Sequence, residues 1–225
     1  MPGFFVTGTD TGVGKTFVAC ALARGLRGRG LDVGVMKPVE TGVGPDGPQD
    51  ARALRAAAEC SDALGEICPL ALPLPAAPSV AAEGAGVGIA LSWLRDRFRA
   101  LAARHRWMIV EGAGGLLVPL SPEATMADLA GALGLPLLVV ARGRLGTINH
   151  TRLTLEAATS RALSLAGVVV SHADGPLSAA DSANLAALRG WLGERLVGEF
   201  PPIAEGSPIP HDVLDLDALM KGPPA

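Results

Sequence analysis

One stretch, Gly8-Thr9-Asp10-Thr11-Gly12-Val13-Gly14-Lys15-Thr16, constrains the chain more than any other. It follows an apolar run, Phe4-Phe5-Val6, and leads directly into a helical pattern, Phe17-Val18-Ala19-Cys20-Ala21-Leu22-Ala23. Glycine-rich backbone between a strand and a helix can turn its amide groups around a phosphate, with the helix N-terminus behind them and Lys15 adding a full charge. Five residues rather than the usual four separate Gly8 from Gly14-Lys15-Thr16, which places the stretch in a variant group of triphosphate loops. A strand-to-helix turn rich in glycine for steric reasons alone is the plainer alternative.

At 225 residues and 49% hydrophobic content the chain can bury a sizeable core, and one α/β domain spanning 1–225 is expected. A net charge of −3, without a run of Lys or Arg, argues against nucleic acid as the main partner. Cys20, Cys60 and Cys68 form no CxxC pair, which fits a reduced, cytoplasmic setting. No basic leader precedes Phe4 and no apolar run reaches the roughly 18 residues of a membrane span, so a soluble, unprocessed protein is expected.

Helix-compatible sequence runs to about Arg29, where Gly30 supplies a stop, and Asp32 to Pro38 reads as a short buried strand. Val39 to Pro48 reads as a loop by composition, and Gln49-Asp50-Ala51-Arg52 opens another helix. The four prolines between Cys68 and Pro78 forbid a long helix, and that segment is expected to pack over an edge of the core. Leu91, Leu94, Phe98, Leu101 and Ala102 form a helical stripe, with Arg95, Arg97 and Arg99 on its other faces.

Trp107-Met108-Ile109-Val110 reads as a buried strand that delivers Glu111 at its carboxyl end, ahead of Gly112-Ala113-Gly114-Gly115. Doubly wound sheets place their ligands there. A surface or capping role for Glu111 is the alternative. A helix over Met126 to Leu133, a strand over Leu137 to Ala141, a helix over Ile148 to Ala162, two further strand and helix units and a last helix near Val213 complete the alternation. Such alternation predicts a mostly parallel sheet with helices on both faces.

Phosphoryl transfer needs held phosphates, a divalent cation and neutralisation of developing charge. Thr16 can ligate Mg²⁺ through its hydroxyl, with Glu111 and Asp50, placed near strand ends, completing an oxygen-only sphere. Lys15 can bridge phosphate oxygens, and Lys37, after the second strand, can add a second cation; a solvated lysine is the alternative for Lys37.

Four blocks, Val6 to Thr16, Lys37-Pro38-Val39-Glu40-Thr41-Gly42, Val110 to Gly115 and Leu145-Gly146-Thr147-Ile148-Asn149-His150, together resemble the dethiobiotin synthetase family over nearly the full chain. The resemblance implies a P-loop NTPase-like fold and an ATP- and Mg²⁺-dependent homodimer acting on 7,8-diaminononanoate and CO₂, supplied as CO₂ or bicarbonate, without nucleic acid or membrane. A substrate amine takes up CO₂ as a carbamate, the carbamate attacks the γ-phosphate, and the second amine closes the ureido ring, releasing ADP and phosphate. By the same resemblance Lys37, Lys15 and Thr11 would act on carbamate and phosphate, and Thr41 would help hold the diamine. Thr16, Asp50 and Glu111 would hold Mg²⁺, while Gly12, Val13, Gly14, Lys15, Thr16 and Phe17 would wrap the phosphates. Gly112, Ala113 and Gly114 would border both ligands, and Pro201, Pro202 and Ile203 would lie beside the base. Gly146, Thr147, Ile148 and Asn149 would reach the carboxylate tail of the substrate bound by the partner subunit.

The chain departs from the family pattern at three places. Gly12 stands where many members have Glu, Ala77-Pro78-Ser79 where Ser-Pro-His is common, and Ser171, followed by His172, where an Asn can read the adenine edge. The rivals are a partition or positioning ATPase, for which Asp10 stands where the loop lysine is expected, and a cobyrinic acid amidase, for which no glutaminase region follows.

Overall fold

The computed structural model describes residues 1–173, 176–202, 210 and 212–221. Strand β1, Gly3–Gly8, is buried along its whole length and runs into the glycine-rich loop. Gly12 and Gly14 adopt φ values of 71° and 92° there, left-handed backbone that glycine takes without a Cβ penalty, so the chain can curl before helix α1, Lys15–Gly28. Past Gly30, also left-handed at φ 76°, comes β2, Val33–Met36.

Val39–Thr41 forms a short strand, β3, where the composition reads as loop. After α2, Gln49–Ala58, and α3, Leu64–Ile67, strand β4, Leu70–Leu72, pairs with β3 in a separate parallel ribbon. Three residues are too few for alternation to register, and the pairing arises from chain brought back by α2 and α3. The proline-rich segment thus contributes β4 and then α4, Pro78–Gly84, whose first residue is the proline that a helix start tolerates.

Helix α5, Leu91–Ala102, buries Leu94, Phe98, Leu101 and Ala102 and leaves Arg97 and Arg99 exposed. Strand β5 runs Trp107–Gly115, so Glu111 lies within the strand and not at its end. The glycines account for the extension: Gly112 lies under the Phe5 ring, where a Cβ would come within 2.9 Å of Cε1. Then follow α6, Met126–Leu133; β6, Leu137–Arg142; α7, Thr147–Thr159; β7, Leu165–Ser171; α8, Ala179–Leu192; and β8, Leu196–Phe200. The last helix, α9, is Leu216–Lys221 and starts later than Val213, because Leu214 is engaged in an antiparallel bridge to Gly198.

The main sheet has six strands in the order β2-β5-β1-β6-β7-β8, and every pairing is parallel. Successive side chains along each strand feed opposite layers. Phe4 and Val6 join Ile109, Leu138, Val140 and the apolar faces of α1, α2 and α9, whereas Phe5 joins Val110, Leu137, Val139 and helices α5 to α8. Helices therefore cover both faces, as the alternation predicts. At fully buried side chains such as Phe5, Leu22 or Leu94, truncation to alanine costs about 2–5 kcal/mol. That core fixes the carboxyl ends of β1, β2 and β5 side by side, and the loops leaving them build the site.

Candidate active site

Lys37 follows the last residue of β2 and turns inward, with 4% of its side chain exposed. Its ammonium lies 2.5 Å from Glu111 Oε1 and 2.7 Å from Asp50 Oδ2. Glu111, 1% exposed, also accepts a hydrogen bond from the Thr16 hydroxyl at 2.8 Å. Its Oε2 is buried without a partner among the described residues.

Burial opposes the Lys37 charge, but Glu111 and Asp50 more than offset it and hold its pKa above the ordinary lysine value. Burial likewise pushes the Glu111 carboxyl up, while Lys37 and Thr16 pull it back. Among the described residues no carboxylate lies within ion-pair distance of Lys15: its ammonium donates to the Asp10 carbonyl at 3.0 Å, inside its own loop. Burial lowers its pKa to about 8; Glu111 opposes that shift and Lys37 adds to it. Lys15 is therefore a cation awaiting an anion.

Asp50 owes its place to a residue that sequence reasoning missed. Helix α2 begins after Pro48, which offers no side-chain cap. The buried Glu40 of β3 supplies one from a distance, its Oε1 accepting from the Asp50 amide and its Oε2 from the Ala51 amide, both at 3.0 Å. A carboxylate at a helix N-terminus satisfies orphan amides and complements the helix dipole. The only signal in the sequence is an acid ten residues ahead of Asp50. A second unread contact is Arg142, which donates to the Thr11 carbonyl at 2.8 Å and braces the loop from β6.

These groups surround one cavity of about 460 Å³. It brings together Thr11, Gly12, Gly14, Lys15, Thr16 and Phe17 from the loop and α1 with Lys37, Thr41 and Asp50 from the β2 side. Glu111, Ala113 and Gly114 of β5 close it. Val13 is fully buried in the core beneath the loop, and Gly112 lies against Phe5, so both support the cavity from behind. Two lysines, one without a carboxylate partner among the described residues, face the backbone of a helix start, an arrangement suited to a triphosphate.

A family model described as an AAA domain matches residues 2–209. A Bacillus licheniformis protein named ATP-dependent dethiobiotin synthetase BioD is 39% identical over 218 residues, 96% of this chain and 93% of its own. A protein of the same name from Anaeromyxobacter sp. (strain K) is 55% identical over 172 residues, 76% of this chain and 77% of its own. The chain belongs to the ATP-dependent dethiobiotin synthetase family.

Among solved structures, the MinC:MinD cell division complex of Aquifex aeolicus aligns over all of this chain and 87% of its own, with a TM-score of 0.57 at 12% identity. Chloroplast FtsY from Physcomitrella patens aligns over 98% of this chain, which spans 64% of FtsY, with a TM-score of 0.52 at 15% identity. At such identities the likeness establishes the fold alone.

Within this family member the remaining sequence candidates lie apart from the phosphate cavity. Gly146, Ile148 and Asn149 line a different cavity, of about 500 Å³, at the start of α7, where Thr147 is buried and its hydroxyl has no partner among the described residues. Ser171 lies beneath the loop, its Oγ 2.6 Å from where a Cβ on Gly14 would stand. His172 is held by Glu199 at 2.7 Å. Pro201 and Pro202 are exposed beyond Phe200, whose ring packs edge-on against Phe17 at 5.2 Å; Ile203 lies outside the described residues. Among the described residues no group of three His, Cys, Asp or Glu side chains is suited to a metal, and no helix is long and apolar enough to cross a membrane.

Proposed function

We propose that this ATP-dependent ligase forms dethiobiotin from 7,8-diaminononanoate, CO₂ and ATP, as a cytoplasmic, Mg²⁺-dependent homodimer of single-domain chains with its active site at the subunit interface. The observation that carries the reading is the Lys37 ammonium, buried between Glu111 and Asp50 and opening on the same cavity as the phosphate loop. The relatives' shared name supplies the overall reaction.

The diamine brings both nucleophiles, so the protein need only hold charge and geometry. One amine takes up CO₂ as a carbamate. Lys37 and Thr11 stabilise that anion, and Thr41 holds the diamine against β3. Carbamate oxygen attacks the γ-phosphorus as the bond to ADP breaks, with Lys15 and the amides from Gly12 to Phe17 neutralising the phosphate oxygens. The second amine then attacks the carbamoyl carbon, closes the ureido ring and expels phosphate. Gly112 to Gly114 run between the two ligands, Ser171, His172, Pro201 and Pro202 border the base, and Gly146, Thr147 and Asn149 receive the substrate's carboxylate from across the interface. The Thr16 hydroxyl and Glu111 Oε2, which has no partner among the described residues, form with Asp50 an oxygen donor set that fits Mg²⁺, which would neutralise charge on the phosphates.

Mixing the protein with ATP and Mg²⁺ tests the proposal. ADP is expected to appear only when diamine and bicarbonate are both present, with one dethiobiotin formed per ADP. Rapid ATP hydrolysis without the diamine, or none with it, would refute the assignment.

A further inference from the structure

The loop between β6 and α7 exposes the Leu145 side chain at 75%, yet anchors that residue's backbone. The Leu145 amide donates to Asp181 Oδ1 at 2.7 Å. Arg144 contacts Asp181 Oδ2 at 3.4 Å and donates to the Pro176 carbonyl at 2.9 Å. Asp181 lies in the first turn of α8 and is 5% exposed. Its Oδ2 accepts from the Ser178 amide at 3.0 Å and from the Ser178 hydroxyl at 2.6 Å, completing a capping box.

A capping box needs one carboxylate oxygen, and here the other oxygen reaches the neighbouring loop. The residue after Leu145 is Gly146, left-handed at φ 95°, from which α7 starts. Thr147 follows, its buried hydroxyl without a partner among the described residues. A fixed Leu145 amide therefore sets where the first amides of α7 point.

We propose that Asp181 is a positioning residue: by tethering the Leu145 amide it aims the first turn of α7 at the substrate's carboxylate and so sets affinity for that end of the diamine. The inference rests on the reading of Gly146, Thr147 and Asn149 given above. Hydrogen bonds from the Ser178 hydroxyl and amide, helped by the Leu145 amide and Arg144, hold the Asp181 carboxyl down at about 2, so the tether persists throughout the working pH range.

Steady-state kinetics of the full-length protein with the diamine acid and with its methyl ester test the inference. Wild type is expected to prefer the acid at least about tenfold in kcat/KM, since the ester cannot offer an anion to the helix start. Asp181→Ala is expected to raise KM for the acid about tenfold, with KM for ATP and kcat within about twofold, and to lose most of the preference. Asp181→Asn keeps one acceptor for the Leu145 amide but turns an NH2 toward the Ser178 amide and Arg144, so it is expected to retain the preference at a lower melting temperature. Ser178→Ala, which removes the capping hydroxyl but leaves the Ser178 and Leu145 amides on Asp181, is expected to lower the melting temperature and leave the preference intact. Equal use of acid and ester by wild type would overturn the reading of the α7 start. If wild type discriminates, unchanged discrimination in Asp181→Ala, or loss of it in Ser178→Ala, would overturn the positioning role alone. Should Asp181→Ala fail to fold, Asp181→Asn decides against Ser178→Ala, and a preference lost in Asp181→Asn overturns the inference.

Discussion

Replacing Lys37 by methionine removes the charge while nearly keeping the volume, and its effect on stability follows from what is left behind. Glu111 would retain the Thr16 hydroxyl on Oε1 and nothing on Oε2 among the described residues, at 1% exposure. Removing one member of a buried pair costs about 3–5 kcal/mol. The contact with Asp50 adds little to that figure, because Asp50 is 38% exposed and solvent screens it. The pH dependence has a definite sign. Without Lys37, burial raises the Glu111 pKa further above 4.5, so the folded variant binds more protons than its unfolded chain and loses stability as pH rises through that window. Lys37 in wild type has its folded pKa above 10.5, so its contribution is complete at any pH below that value. The deficit of the variant should therefore grow as pH rises from 5 to 8 and, at its full size, lower the melting temperature by about 10 °C. Urea denaturation at both pH values, with Glu111→Gln added to the variant as a rescue, measures it. A deficit under about 1 kcal/mol at both pH values, or no recovery with Glu111→Gln, would refute the reasoning.

Other groups give equally definite expectations. Lys15, lowered to about 8 by burial, should regain its proton when phosphate arrives, so ATP binding near pH 8.5 takes up between about one-half and one proton, measurable by calorimetry in buffers of different ionisation enthalpy. Glu40→Ala should cost about 1–2 kcal/mol in a urea melt by uncapping α2 and should slow turnover by releasing Asp50, with Glu40→Gln intermediate. Gly14→Ala must hold a Cβ at φ 92° and within 2.6 Å of Ser171 Oγ. It should lower ATP affinity at least about tenfold in a titration, and Ser171→Ala should restore only part of that, since the left-handed backbone remains.

What could be read from the chain depended on how local the cause was. The loop from Gly8 to Thr16 and the strands β5, β6 and β7 carry their signals within a few consecutive residues, so glycine spacing and apolar runs suffice to place them. Lys37, Asp50 and Glu111 are individually visible as charged residues near the ends of expected strands, but that one ammonium bridges two carboxylates depends on the side-by-side order of β2, β5 and β1. Glu40 and Asp181 were illegible for the same reason: each caps or tethers backbone on another element, and no periodicity records such a contact. The β3 and β4 ribbon was lost because three residues cannot display a period of two.

The proposed route is tested most directly by following oxygen. If the carbamate attacks the γ-phosphorus and the ring amine then expels phosphate, the bridging oxygen leaves with the phosphate. A single turnover with bicarbonate labelled in all its oxygens with a heavy isotope should place one labelled atom in each inorganic phosphate, read by mass spectrometry. Phosphate free of label, formed alongside labelled dethiobiotin, would contradict phosphorylation of the carbamate at this site.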